Sequence, residues 1–198
     1  MKCPTHRSIL TIILLLWLTA SYGQKLKYEV YLMGNKIGET TIERTDSAGL
    51  RHYLLRSNTD AKVFFVERKS DMSTDAFYDS KGNLFTSFFQ NIKNGEKFLT
   101  KIFWESDKLV VNKDGEKKVV PIAVNFSSLL LYFTEPHNMQ KVFSERMGEF
   151  FDLVKQADGT YTGHIGETTS TYTYKNGKLV QLEMSKGSLG SVFLKLIQ

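Results

Sequence analysis

Cysteine is all but missing from this 198-residue chain: Cys3 is the only one. Thiol catalysis, structural disulfides and cysteine-bearing metal sites are thereby excluded everywhere downstream of it. Proline is nearly as scarce, with 3 residues, which leaves no room for Pro-rich linkers and long stretches open to regular structure. The histidines are His6, His52, His137 and His164. None stands in a His-x-His or His-x-x-x-His pair, so no metal site and no cofactor are expected. No apolar run reaches the roughly 20 residues that a transmembrane helix needs. The charge is close to balanced, at 26 basic against 21 acidic residues and a net +5. That excess is too small and too scattered to imply a nucleic-acid partner.

The longest apolar run, from Ile9 to Ala20, follows Lys2 and Arg7 and precedes the small residues Ser21 and Gly23. A basic start, a short apolar stretch and small residues before a cut are the parts of a secretory signal. Residues 1–23 are therefore expected to be a cleavable leader, cut near Gly23, and residues 24–198 one β-rich domain, periplasmic or secreted. Cys3 lies before the apolar run, where it cannot become the lipidated residue of a lipoprotein.

What the chain has in quantity is turns and aromatics. Gly34-Asn35, Ser47-Ala48-Gly49, Lys81-Gly82-Asn83, Asn94-Gly95, Asp114-Gly115, Asp158-Gly159 and Asn176-Gly177 separate short segments rich in aromatic and β-branched residues. Asn-Gly and Asp-Gly supply the positive φ angles of tight hairpin turns. Between the turns the pattern alternates. Leu26, Tyr28, Val30 and Leu32 oppose Lys25, Lys27 and Glu29, and Phe98, Ile102 and Trp104 oppose Lys97, Lys101 and Glu105, the period of half-buried strands. The pattern predicts strands near 25–33, 36–45, 50–59, 62–68, 70–79, 84–93, 97–105, 107–112, 116–121, 148–156, 160–165, 168–175, 178–185 and 190–197.

One segment departs from this rhythm. Asn125 to Phe133 combines Asn and Ser caps with a leucine run and stops before Pro136, which predicts a short helix near 126–133. Residues 137–147 have no clear period and read as a loop or a further helical turn. An open flat sheet of so many short strands would leave bare edges. The fold class expected is therefore all-β: a curved antiparallel meander, half-closed or closed like a barrel.

No Gly-x-Ser-x-Gly elbow, phosphate loop or dinucleotide fingerprint occurs, so no enzymatic activity is expected. Two sets of residues stand out. With 14 Phe, 9 Tyr and 2 Trp, the aromatics exceed the needs of a plain core. Phe64, Phe65, Phe88, Phe89, Phe103 and Trp104 are candidates to line a concave face around an apolar or lipid-like ligand. Glu145, Arg146 and Glu149, with Glu135 before them, form the densest polar cluster. There Arg146 is expected to engage a carboxylate or a chain carbonyl, either in a salt bridge that pins the loop after the helix or in a buried pair that could orient a ligand.

The chain resembles a family of uncharacterised exported proteins typical of Bacteroidetes-type bacteria, grouped as a domain of unknown function. The resemblance rests on Tyr28-Glu29-Val30-Tyr31 with Gly34-Asn35-Lys36-Ile37-Gly38, Leu131-Tyr132-Phe133 with Glu135-Pro136, Val142 to Arg146 with Gly148-Glu149, Tyr174 to Gly177, and Gly190-Ser191-Val192. It implies an all-β exported domain with no assigned activity. The functional expectation is a soluble binding or carrier protein of the periplasm or cell envelope. The alternative is a structural or protein-interaction module of the envelope, and a hydrolase acting through Glu135, Glu145 or Glu149 stands behind both.

Overall fold

The computed structural model describes residues 22–63, 66–186 and 190–198. Fourteen strands form one antiparallel sheet: β1 (Tyr22–Leu32), β2 (Asn35–Ser47), β3 (Leu50–Val63), β4 (Val66–Tyr78), β5 (Leu84–Lys93), β6 (Glu96–Glu105), β7 (Lys108–Lys113), β8 (Glu116–Val120), β9 (Lys141–Ser144), β10 (Glu149–Lys155), β11 (Tyr161–Ile165), β12 (Thr168–Lys175), β13 (Lys178–Lys186) and β14 (Ser191–Leu196). The order across the sheet is β8-β7-β6-β5-β4-β3-β2-β1-β14-β13-β12-β11-β10-β9. Two meanders thus run outward from the β1–β14 pairing, in which Val30 faces Leu194. The outermost strands, β8 and β9, do not pair with each other, so the sheet curls without closing.

The turns follow their chemistry. Asn94-Gly95, Asp114-Gly115 and Asn176-Gly177 carry positive φ at both residues, as a two-residue hairpin turn demands. At the first hairpin the left-handed pair is Met33-Gly34 instead of Gly34-Asn35, and Ser106-Asp107 turns the same way without a glycine.

Leu26, Tyr28, Val30, Ile42, Leu55, Ala76, Ile102, Val111 and Leu194 from the concave face are buried in one core. Residues 121–140 fold into the concavity at the end where the chain leaves β8, here called the lower end. Val124 accepts a hydrogen bond from Leu84 N–H at 2.7 Å, and Tyr174 donates to the Leu131 carbonyl at 2.7 Å. Tyr132 meets Tyr28 edge-on at 5.5 Å between centroids, and Phe133 lies 5.5 Å from Tyr53. The lower concavity is therefore filled by this chain's own aromatics.

Three expectations need correction. The helix near 126–133 is a single 3-10 turn, Leu130–Tyr132. Ser127 instead bridges Phe143 in parallel, and Ser128 N–H bonds the Phe143 carbonyl at 2.8 Å. Backbone groups committed to β9 are unavailable to a helix, and Pro136 limits it from the other side. Residues 141–144 form a strand where a loop or helical turn was expected, because Val142 and Phe143 are both fully buried and show no alternation to read. The separate strands expected at 50–59 and 62–68 are the continuous β3 and the start of β4.

The expected leader, residues 1–23, lies outside the described residues except for Tyr22 and Gly23, which open β1. Phe64, Phe65 and residues 187–189 also lie outside them.

Candidate functional site

The β9–β10 hairpin is the part of the fold that decides the site. Its tip is held by Gly148 N–H donating to the Ser144 carbonyl at 2.7 Å and by Met147 N–H donating to Ser144 Oγ at 3.2 Å. Gly148 sits at φ +65°, and a Cβ there would lie 2.3 Å from Val111 Cγ1 of β7. Only glycine permits so close an approach in that conformation. Thr100 of β6 donates its hydroxyl to the Arg146 carbonyl at 2.7 Å, and Lys118 of β8 reaches Glu149 at 3.3 Å. The tip of one meander therefore docks inside the end of the other, and the sheet is half-closed by contact instead of by a ladder.

Successive residues of the tip point to different places. Glu145 is 1% exposed. It accepts hydrogen bonds from Ser127 and from Ser128 Oγ, the latter at 2.5 Å, while the Tyr78 hydroxyl lies 3.4 Å from it and also bonds Ser127. Burial pushes its carboxyl above the ordinary carboxylate value, against the opposing pull of the two serine hydroxyls. Tyr78 is likewise raised, first by burial and then by Glu145. This network ties β4, the 126–128 segment and the hairpin together.

Arg146 does not pair with Glu145 or Glu149. Among the described residues it makes no ion pair, because Glu145 is turned inward onto the serines and Glu149 is engaged by Lys118. Arg146, an exposed residue, instead helps line a hollow of about 270 Å³ at the upper end of the concavity, with Phe89, Asn91, Lys93, Phe98, Thr100, Lys113 and Met147 among others. Partial burial pulls the guanidinium's pKa below its ordinary value. Glu135 lies elsewhere, at the lower end, where it accepts a hydrogen bond from Tyr161 at 3.0 Å and lies 3.7 Å from His137.

The aromatic candidates divide between the faces. Phe89 is 3% exposed on the concave side, while Phe88, 38% exposed, is on the convex side with Lys101 against its ring. Phe103 is also convex, beneath Lys117. Trp104 shares the concave phase of Ile102 but is 45% exposed at the lower end of β6. Of the described set, only Phe89 reaches the hollow. Asn91, Lys93, Phe98, Thr100, Lys113 and Met147 escaped the sequence reading. The inward phase of Phe98 and Thr100 was legible from Ile102, but their meeting with the tip depends on residues far along the chain.

The concave face grades from apolar below to hydroxylated above. Thr40 and Ser57 bond each other across β2 and β3 at 2.7 Å, Ser70 donates to Asn91 at 2.8 Å, and Thr74 and Thr100 flank Phe89 in register. Among the described residues no cluster of His, Asp or Glu could hold a metal ion, and no helix is long and apolar enough to cross a membrane.

Residues 28–197 match the family model for DUF6134, a domain of unknown function. The chain belongs to this family. No curated protein matches the sequence. Among solved structures the chain is similar to the crystal structure of a beta-barrel-like protein of domain of unknown function DUF1849 from Brucella abortus. The TM-score is 0.56 at 14% identity, over 88% of this chain and 95% of that one. That likeness concerns the fold alone.

Proposed function

We propose that this DUF6134 protein is an exported, non-enzymatic binding or carrier protein of a bacterial periplasm or envelope. It holds a small guest with an apolar part at the upper end of the curved sheet. The observation that carries the reading is the contrast between the two ends. The lower concavity is filled by Tyr28, Tyr53, Tyr132 and Phe133, whereas the upper end keeps a hollow of about 270 Å³ with Phe89, Phe98 and Met147 on its walls. That volume lies just below the roughly 300 Å³ at which typical small-molecule pockets begin. A short chain or one ring suits it better than a full lipid. A beta-barrel-like fold supports the same reading, since curved sheets of this kind commonly open into ligand sites.

Native mass spectrometry of protein purified from its own host tests this. A co-purifying mass of a few hundred daltons, lost when Phe89→Arg fills the hollow, is the expected result. Protein that is always empty and also refuses short-chain amphiphiles in titration would end the reading.

A second reading, an envelope interaction module, has one observation in its favour: among the described residues β8 ends the sheet with an unpaired edge, and Val119 on it is 53% exposed. The same strand carries Lys117 and Lys118, tied to Glu105 and Glu149, and edge lysines are a common means of discouraging strand addition. The binding reading is therefore preferred. Cross-linking through Lys117 in envelope fractions, with capture of one defined protein, would favour the module instead.

A further inference from the structure

The hollow at the upper end has walls of two kinds. Phe89, Phe98 and Met147 are apolar, and Lys93, Lys113 and Arg146 are cationic, against one carboxylate, Asp114. Asp114 Oδ1 accepts Leu99 N–H at 2.8 Å in the turn, and its single negative charge leaves the three cations in excess. Glu96 stands opposite Lys93 in register, yet among the described residues none of the three cations is in an ion pair. The Lys113 ammonium lies 3.7 Å from Met147 Sδ, a weak acceptor, so a full countercharge would find it poorly satisfied.

Arg146 has an exposed side chain on a fixed backbone. Its carbonyl receives the Thr100 hydroxyl, and the residues on either side are fixed, Glu145 by the two serines and Met147 by Ser144. Lys113 belongs to the same face of the sheet, because it pairs in register with Thr100. A planar guanidinium on a fixed backbone, lining the same hollow as the Lys113 ammonium, is suited to a two-oxygen acceptor, which the fork can engage through two parallel hydrogen bonds.

We propose that the guest is an anionic amphiphile: a short apolar body seated against Phe89, Phe98 and Met147, and a carboxylate or phosphate group bound by Arg146 with Lys113 and Lys93. This rests on the hollow being a binding site and adds the charge of the guest. A bound anion would supply the ion-pair partner that Arg146 lacks among the described residues, and the cationic rim would draw an anion inward.

Isothermal titration with a matched series tests it: decanoate, decyl phosphate, decanol, decyltrimethylammonium and inorganic phosphate, against wild type, Arg146→Gln and Lys113→Gln. Decanoate or decyl phosphate should bind at least about tenfold tighter than decanol, with affinity falling as salt rises. Arg146→Gln should lower that affinity to the decanol level without moving the thermal midpoint, and Lys113→Gln should lower it by a smaller factor. Decanol binding as tightly as decanoate, or an unchanged affinity in Arg146→Gln, would overturn the anionic assignment while leaving the hollow as a site. Inorganic phosphate binding as tightly as decyl phosphate would overturn the amphiphile. Failure of every compound to bind would remove the binding reading itself.

Discussion

Replacing Gly148 by alanine probes the contact that half-closes the sheet. Its φ of +65° lies in the left-handed region, and the added Cβ would meet Val111 Cγ1 at 2.3 Å and Cγ2 at 3.1 Å. The backbone conformation costs a non-glycine residue about 1–2 kcal/mol. Forcing a methyl into a filled core costs about 1–3 kcal/mol more. Val111 is fully buried between β6 and β8 and cannot swing away, so Gly148→Ala should lose roughly 2–5 kcal/mol in all. Val111→Ala removes the two methyls that clash and should by itself cost about 2–3 kcal/mol through lost burial and a cavity. In the double variant the steric part is relieved and only the backbone part remains. The pair should therefore be less destabilised than the sum of the singles by about 1–3 kcal/mol. Urea unfolding followed by circular dichroism measures all four corners of the cycle. Additivity within about 0.5 kcal/mol would show that the tip does not rest on β7 and would refute the half-closure described above.

The buried network yields a pH prediction. Burial raises the folded-state pKa of Glu145 above the ordinary 4.5, so its favourable contribution is complete below that value and is lost as pH rises through the raised one. Relative to Glu145→Gln, wild type should thus lose stability as pH rises above the ordinary 4.5 and through the raised value. Urea midpoints of both proteins at a series of pH values give the difference, and a difference independent of pH would refute the assignment. Tyr28 donates to the Leu179 carbonyl at 2.8 Å with both residues fully buried. Tyr28→Phe should therefore cost about 1–3 kcal/mol by chemical denaturation, and no loss would mean that water or another donor replaces the hydroxyl. Ser87 Oγ is the buried side-chain polar atom without a partner among the described residues. Ser87→Ala should leave thermal stability unchanged or raise it, since an unpaired buried hydroxyl costs about 1–3 kcal/mol, and a clear drop in midpoint would reveal a partner. Arg146→Ala should change stability by no more than about 1 kcal/mol, as for an exposed charge. A loss of several kcal/mol would instead indicate a buried ion pair broken by the substitution.

Local chemistry wrote the sheet into the sequence. Asn94-Gly95 and Asp114-Gly115 each impose a tight turn on their own four residues, and the alternation of Leu26, Tyr28 and Val30 against lysines and glutamate assigns one face to the core. Both signals act over a few residues and are readable without any partner. Curvature also follows, since a meander of this many strands cannot remain flat with bare edges. The sequence failed where a residue's state depends on distant groups. Ser127 and Ser128 have the chemistry of helix caps, but they bond β9 and Glu145 because the sheet brings those groups to them. Phe88 and Phe89 are equally apolar in sequence, and strand register alone sends one out to solvent and the other into the hollow. The same applies to Arg146, whose neighbours at 145 and 149 looked like partners. One carboxylate turned inward and the other was taken by Lys118, 31 residues away. Turns and strand faces are set by short-range conformational preference, whereas the candidate site forms only when the last hairpin of one meander meets β5–β7 of the other, a contact between segments that no local pattern encodes.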